Sequence, residues 1–483
     1  MKHLPKIGYF VYCLLFVAAC AVPGAMLLRP AEDDGAEKRQ LAEMPSLTDE
    51  EGHFNKEFPA GFTAYVSDHF GFRSALVEAD SRLKAQVLQT SAEEDVIIGE
   101  DGWLYFTPTV SDFLGQATVS PLAIQNIVYD LEMMQTYAAE QGSDLIVAIV
   151  PNKNSIYPEH MPYQYVPSGE ANNYAQLSAA VAEAGDLHWC DLAGALRMEA
   201  AKGTQLYHKT DTHWNNTGAL IGYDAIMTAT DRRFTSFSGA SYKVERSWKG
   251  DLQQMLFPGS EALDEQHTYN IAFSYSYLGR YRTSDDITID TACEHGDGSL
   301  LMFRDSFGAA VIPYFSEQFA SATYSRARPY PLYTLETAPA DVTVLEIVER
   351  NIPWLCREAP KHAAPVADAV PESTGTIEAT IVTEESGQFF HLCGTADLPA
   401  DQATAPVYYV TLTDPDGAAQ TRIAYDCFEC DLLGIETIGD NGWSLYFPSE
   451  TLAPDTPYTV TLTADLGGSV LTCGLGTVTH TVE

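Results

Sequence analysis

"SLLMFRDSFGAAV", residues 299–311, runs from an unbroken apolar stretch through Arg304-Asp305-Ser306 into a run of small residues. The apolar stretch predicts a strand buried on both faces, and Gly308, Ala309 and Ala310 predict the opening of a helix. Other segments repeat the pattern. "DLIVAIVP" (144–151) and "DVTVLEIVER" (341–350) read as buried strands. "SPLAIQNIVYDLEMMQTYAAEQG" (120–142), "NNYAQLSAAVAEAG" (172–185), "LAGALRMEAA" (192–201) and "TGALIGYDAIMTAT" (217–230) read as helices, with a short strand in "LHWCDL" (187–192). Strands that are apolar throughout and alternate with helices imply a mostly parallel sheet covered on both faces, an α/β fold.

Outward from this core the pattern changes. "VIIGEDGWLYF" (96–106) is two apolar runs around Asp101-Gly102, a hairpin signal, and apolar residues at helical spacing run from about Phe62 to Val87. Residues 357–373 include the Ala/Pro-rich "APKHAAPVADAVP" and read as a linker. From 374 to 483 come short alternating runs with turn residues between them, among them "PVYYVTLTDPDG", "GWSLYFPSE" and "PYTVTLTADLGG". They predict a C-terminal antiparallel β-sandwich, immunoglobulin-like or carbohydrate-binding-like, with Trp443 and Tyr446 as exposed aromatics that a glycan could use.

The chain has 66 acidic and 27 basic residues in 483, a formal net charge of −39. That excludes nucleic acid as a partner and argues against docking on anionic lipid, since both need a basic patch. At the N-terminus, Lys2 and Lys6 precede an uncharged apolar run from Ile7 to Leu28, and acidic residues follow it. Residues 1–30 therefore predict a single-pass membrane anchor with the bulk of the chain outside, and residues 31–50 a polar tether. The alternatives are a lipoprotein modified at Cys20, behind "VAAC", and a secreted chain with a cleaved signal peptide. The nine cysteines form no dense framework; a disulfide is plausible among Cys393, Cys427, Cys430 and Cys473, and "CFEC" lacks a second ligand pair for zinc. No metal or cofactor is expected.

Ser306 falls where α/β folds expose reactive groups, at a strand-to-helix turn. First-turn N–H groups there, including its own, could hold a developing oxyanion, whereas the plain alternative makes Ser306 a helix N-cap. A nucleophilic serine needs a base, and a base needs an orienting acid. "KTDTHWNNTGALIG" (209–222) offers both: in an extended segment Asp211 and His213 share a face. The plain alternative is a polar surface turn. Asn152 and Lys153 follow a strand's carboxyl end, where a second oxyanion donor could stand; Arg304 flanks the serine. Trp214 walls the pocket or packs on the sheet, and Glu346, Glu349 and Arg350 read as structural polar contacts.

These segments carry a resemblance. "FGFR" (70–73), "VIIGEDGWLYF", "IVPNKNSIYPEHMP" (149–162), "DTHWNNTGA" (211–219), "GDLQQML" (250–256), "FRDSFG" (303–308) and "LEIVERNI" (345–352) resemble the DHHW family and the SGNH-hydrolase-like domain of alginate O-acetylation proteins. The likeness spans about residues 50–356, giving a catalytic domain over 51–356. It implies a flavodoxin-like α/β domain with Ser306 as nucleophile, His213 as base and Asp211 as orienting acid. The second position of the family's D-H-H-W tetrad is Thr212 here. The implied activity is O-acetylation of an exported polysaccharide or cell-wall glycan, with a membrane O-acyltransferase as acetyl donor. The same triad would serve a carbohydrate acetyl esterase, and a non-catalytic glycan-binding envelope protein is the rival from another class.

Overall fold

The computed structural model describes residues 8–17, 42–48, 52–69, 90–116 and 118–481, together with residues 21, 79 and 82–84. The strands, in chain order, are β1 (Val96–Ile98), β2 (Leu104–Phe106), β3 (Asp144–Val150), β4 (Trp189–Cys190), β5 (Tyr242–Trp248), β6 (Asp264–Tyr269), β7 (Ser276–Leu278), β8 (Thr288–Ala292), β9 (Ser299–Phe303), β10 (Ser321–Ser325) and β11 (Val342–Val348). The helices used below are α1 (Phe58–Asp68), α2 (Pro121–Glu140), α3 (Asn173–Ala184), α4 (Leu192–Ala200), α5 (Asn216–Ala229), α6 (Asp251–Leu256) and α7 (Ile312–Gln318).

Seven strands form the central sheet in the order β4-β3-β11-β9-β10-β8-β7. The pairs from β4 to β10 are parallel, and β8 and β7 add an antiparallel edge. Alternation along the strands sorts the core onto two faces, as the pleat requires. Ile146, Ala148, Val150, Leu300 and Met302 face α4, α5 and α7, packing with Leu196, Tyr223 and Phe315. Leu145, Val147, Ile149, Leu301 and Phe303 face the other way, against Ile127, Leu131 and Met134 of α2 and Leu177 of α3.

Local chemistry fixes the helix ends. Ser120 caps α2 by accepting the Ala123 N–H at 3.1 Å, and Asn172 caps α3 through Ala175 at 2.9 Å. Gly185, at φ 81°, closes α3 in the left-handed region. The first hairpin pairs Val96 with Phe106 and turns through Asp101 and Gly102, both at positive φ. Helix α1 begins four residues before the expected Phe62, since Pro59 suits a first turn; most of residues 70–89 lies outside the described residues.

Beyond residue 374 lie β12 (Gly375–Thr376), β13 (Val382–Ser386), β14 (Phe389–Thr395), β15 (Val407–Thr413), β16 (Ala419–Ala424), β17 (Gly442–Pro448), β18 (Pro457–Asp465) and β19 (Val470–Thr479). They make a five-stranded sheet, β12-β19-β18-β15-β16, and a three-stranded one, β13-β14-β17. Leu392, Val410, Trp443, Leu445 and Leu462 share the core between them. The expected all-antiparallel pattern needs one correction, because β12 runs parallel to β19. A second concerns the glycan-facing aromatics: Trp443 is 0% exposed and Tyr446 2%, so both are core residues.

The Ala/Pro-rich segment does not behave as a free linker. Ala359, His362 and Ala364 are buried, and the segment hydrogen-bonds on both sides, Lys361 to Tyr330 and Ala364 to Tyr446. Contacts beside it join the two parts of the chain. The Asp130 carboxylate accepts the Asp426 N–H at 2.8 Å and the Cys427 S–H at 3.2 Å, and Asn126 donates to the Asp440 carbonyl at 3.0 Å. The eight described cysteines are all free thiols, so no disulfide forms among Cys393, Cys427, Cys430 and Cys473.

Of the apolar run from Ile7 to Leu28, residues 8–17 and 21 are described, as helix; the remainder, including Cys20, and the tether up to residue 41 lie outside the described residues. Among the described residues no helix is long and apolar enough to cross a membrane.

Candidate active site

Strand β9 ends at Phe303, and the chain passes Ser306 into a 3-10 turn, Phe307–Ala310, before α7 starts at Ile312 with Pro313 in its first turn. Ser306 does not cap this turn with its side chain. Its neighbour does so: Asp305 Oδ1 accepts the Phe307 N–H at 2.9 Å, while Oδ2 accepts the Val348 N–H and the Asn351 amide, each at 2.8 Å. With the cap supplied by Asp305, the Ser306 hydroxyl is free to point elsewhere. It lies 2.8 Å from His213 Nε2.

His213 arrives from the loop between α4 and α5. Asp211 Oδ1 accepts from His213 Nδ1 at 2.7 Å and from the His213 backbone N–H at 2.9 Å, which fixes the ring and leaves Nε2 to face the serine. The other oxygen, Asp211 Oδ2, accepts the Trp248 indole N–H at 2.9 Å and the Asp251 N–H at 3.0 Å. The sequence reading missed both donors; "GDLQQML" was a signal for Asp251, at the start of α6, and nothing marked Trp248 at the end of β5. Thr212 is also engaged: its hydroxyl donates to Asp251 Oδ2 at 2.6 Å and lies 3.1 Å from His213 Nδ1.

The electrostatics follow from these contacts. Burial pushes the Asp211 carboxyl up, but the hydrogen bonds and charge of His213, with the Asp251 N–H, hold it well below the usual carboxylate range. Burial pushes the His213 imidazole down; Asp211, and Asp251 behind it, outweigh that and raise it above its ordinary value, while Arg350 pulls against them. Arg350, expected as a structural contact, lies with its guanidinium 5.3 Å from the Phe307 ring centre and 5.5 Å from that of Phe106.

The remaining expected residues divide. Trp214 packs rather than lining a pocket: it is 2% exposed, donates to the Phe307 carbonyl at 3.0 Å, and slots against Gly218 and Gly222 of α5. Lys153 is not an oxyanion donor. Its ammonium donates to the carbonyls of His208 (3.1 Å), Lys209 (3.1 Å) and Asp211 (2.6 Å), using all three N–H groups. Asn152 belongs to another buried network, its N–H donating to Glu349 Oε2 at 2.8 Å and its amide facing Asp112 at 3.5 Å. Arg304 is buried and donates to the Asp305 carbonyl at 3.1 Å and the Ser284 carbonyl at 2.5 Å. Among the described residues, none accepts a hydrogen bond from the Ser306 N–H.

Glu346 of β11 is fully buried on the face that carries Phe307; burial, and then Asp305, push its carboxyl well above the usual range, and Arg304 pulls the other way. Gly308 fits tightly over it. A Cβ at this position would stand 2.6 Å from both Arg304 Cβ and Glu346 Oε2. Gly308→Ala is therefore expected to cost about 1–3 kcal/mol by overpacking, read as a lower midpoint in urea unfolding.

One group of acidic and imidazole side chains among the described residues is close enough to share an ion: Asp211, His213 and Asp251 offer atoms within 4.8 Å of one another. The facing atoms are already hydrogen-bonded within the protein, which suits proton transfer better than metal ligation.

Residues 96–272 match the family model described as the SGNH hydrolase-like domain of acetyltransferase AlgX. That span contains Asp211, His213 and Asp251 and ends before Ser306. The chain is 36% identical over 166 residues to the probable alginate O-acetylase AlgJ of Pseudomonas syringae pv. tomato, which covers 33% of this chain and 41% of the relative. It is 35% identical over 192 residues to the protein of the same name from Pseudomonas fluorescens, covering 36% and 46%. The chain thus spans less than half the length of these curated relatives. Two solved structures are similar at low identity. A DHHW family protein from Eubacterium siraeum aligns over 53% of this chain and 94% of its own, at 13% identity and TM-score 0.39. The O-acetyltransferase domain of Pseudomonas putida AlgJ aligns over 53% and 91%, at 19% identity and TM-score 0.36. Over residues 96–272, then, the chain is similar to the SGNH hydrolase-like domain of AlgX, in keeping with the family likeness read from its motifs.

Proposed function

We propose that this chain is a serine acyltransferase that O-acetylates an exported polysaccharide through an acetyl-Ser306 intermediate. One observation carries the reading: the continuous file of hydrogen bonds from Ser306 Oγ through His213 to Asp211, at 2.8 and 2.7 Å. His213 Nε2 takes the hydroxyl proton as Ser306 Oγ attacks the acetyl carbonyl of the donor. The tetrahedral oxyanion is stabilised by the Ser306 N–H, and collapse expels the donor alcohol, which receives the proton from His213. A sugar hydroxyl then gives its proton to His213 and attacks the acyl-serine, and Ser306 departs as the alcohol. Water in place of the sugar makes the same site an esterase.

The names of the curated relatives support a polysaccharide acceptor. The wider assembly belongs to this reading too: a membrane O-acyltransferase as acetyl source, a cell-envelope location through the N-terminal apolar run, and a β-sandwich module over residues 374–483. Incubating the chain with an acetylated aryl ester and an oligosaccharide tests the reaction. The expected result is aryl alcohol release together with a mass gain of one acetyl group on the sugar. Release without sugar acetylation would make it an esterase, and equal release from wild type, Ser306→Ala and His213→Ala would leave only a glycan-binding protein.

The pH profile gives a second check. His213 must be neutral to accept a proton, and its raised pKa puts the acid limb of kcat/KM above the ordinary imidazole value of 6.5. Activity should rise with pH through that limb. Arg350→Met, which removes a charge that depresses the imidazole, should move the limb to still higher pH. A wild-type limb at or below the ordinary value contradicts the assignment.

A further inference from the structure

Arg350 is a cation beside the triad that none of the contacts above puts to use. Among the described residues its guanidinium takes part in no hydrogen bond and no ion pair; its printed neighbours are the Phe307 ring at 5.3 Å and the Phe106 ring at 5.5 Å. The other cations at this end of the sheet are engaged. Lys153 uses all three N–H groups on carbonyls, and Arg304 donates to those of Asp305 and Ser284. Placing a guanidinium out of water with no partner is unfavourable, so an idle one in a reacting cleft calls for an explanation.

Its position is fixed by the nucleophile's own turn. Arg350 lies two residues past Val348, the end of β11, and β11 pairs with β9, whose chain runs on to Ser306. Asp305 ties these two ends together, because its Oδ2 accepts the Val348 N–H and the Asn351 amide, on either side of Arg350. The preceding residue turns the other way: Glu349 accepts from Asn152, Ser155 and Asn172. The Phe307 ring that flanks the guanidinium also lies 4.7 Å from the His213 ring. The Arg350 charge accordingly opposes protonation of His213. Burial pulls the guanidinium below its ordinary value, against the charges of Asp305, Asp251, Tyr207 and Glu346.

Acyl transfer places a full negative charge on the carbonyl oxygen beside Ser306. Asp211, Asp251 and Asp305 belong to the shell of hydrogen bonds around Ser306 and His213, and each carboxylate opposes a further negative charge. The Ser306 N–H is free to hold that oxygen, but the second donors expected from the sequence, Asn152 and Lys153, are committed elsewhere.

We infer that Arg350 is a catalytic residue, its guanidinium donating together with the Ser306 N–H to the oxyanion formed on the acyl carbonyl. The inference rests on the acyl-transfer reading. As Ser306 Oγ bonds to the carbonyl carbon, the π pair moves onto oxygen and the hydroxyl proton passes to His213 Nε2. Arg350 gives up no proton; it donates to the oxygen while the charge lasts. When the pair returns, the bond to the leaving alcohol breaks and His213 protonates that oxygen. Phe106 and Phe307 hold the guanidinium and displace water around it, which strengthens the contact.

The test uses the full chain, an acetylated aryl ester as substrate and methylboronic acid as probe, which becomes a tetrahedral anion when Ser306 Oγ adds to it. Arg350→Met should lower kcat by about 10²- to 10³-fold with KM within about twofold of wild type. It should weaken methylboronate binding by about tenfold or more, and added guanidinium ion, below unfolding concentrations, should restore part of the turnover. Arg350→Lys keeps a charge between the two rings and guards against a folding loss; it should show the same split, smaller in size. A kcat within about threefold of wild type in both variants, a loss confined to KM, or unchanged methylboronate binding overturns the inference. So does a loss that follows a lower urea midpoint and resists added guanidinium, since Arg350 would then only brace the two rings. Ser306→Ala judges the acyl-transfer reading separately. Full ester activity in that variant removes the chemistry, whereas an inert Ser306→Ala beside a fully active Arg350→Met removes Arg350 alone.

Discussion

Ser306→Ala is expected to lower turnover of an acetyl ester by about 10⁴- to 10⁶-fold, leaving residual activity from binding and the backbone donor alone. The substitution deletes one atom that contacts His213 and touches nothing that builds the turn, since Asp305 supplies the cap. Stability should therefore stay within about 0.5 kcal/mol, as for a substitution away from any structural feature. Asp211→Asn is expected to cost about 10⁴-fold by a different route, because an amide cannot stabilise the imidazolium and can invert the ring's tautomer. It should also cost stability, as Asp211 accepts from Trp248 and the Asp251 N–H. Steady-state kinetics with urea unfolding separates the two variants. An alanine variant that kept a tenth of wild-type activity would remove Ser306 as nucleophile.

Lys153→Met is expected to be the most damaging change away from the reacting atoms. Burial pulls the Lys153 ammonium down to about 8, against the pull of Asp211, Asp251 and Asp264. It therefore remains charged at neutral pH and satisfies three buried carbonyls of the segment that carries His213. Methionine preserves the volume but strips the His208 and Asp211 carbonyls of their donor, at about 1–3 kcal/mol each, whereas the Lys209 carbonyl keeps the Leu104 N–H at 2.8 Å; relief of the buried charge offsets part of the loss. A net loss of about 3 kcal/mol in urea unfolding is expected. Ester turnover should also fall, because the Asp211–His213 loop loses its anchor. A variant as stable and active as wild type would mean that the loop holds itself.

The residues read most clearly from sequence were those whose local pattern and chemistry agreed. The unbroken apolar run in "DLIVAIVP" and the small residues after Ser306 specify strand and turn locally, and Asp211 and His213 lie two apart, so their pairing needs no distant contact. What escaped was held by contacts far along the chain. Trp248 reaches Asp211 across 37 positions and Lys153 reaches the same loop across 58, and neither spacing leaves a periodic trace. Strands β5, β7, β8 and β10 were missed for a related reason: they are short, exposed or mixed in polarity, so hydrophobic alternation does not mark them. The Ala/Pro-rich run was misleading because composition reports intrinsic flexibility, whereas the burial of Ala359, His362 and Ala364 depends on what packs above them.

That buried run bears on how the molecule can be taken apart. Trimming the chain near residue 357 to isolate the half that carries His213 and Ser306 would bare the Asp130 carboxylate that now receives Asp426 and Cys427, and would uncover Tyr137, whose ring lies 3.9 Å from that of His362. The shortened product would carry a raw apolar wound where a seam had been. Mutual dependence of this kind makes the two halves poor candidates for exchange with those of other chains, and a lesion in either should be felt as a single melting event.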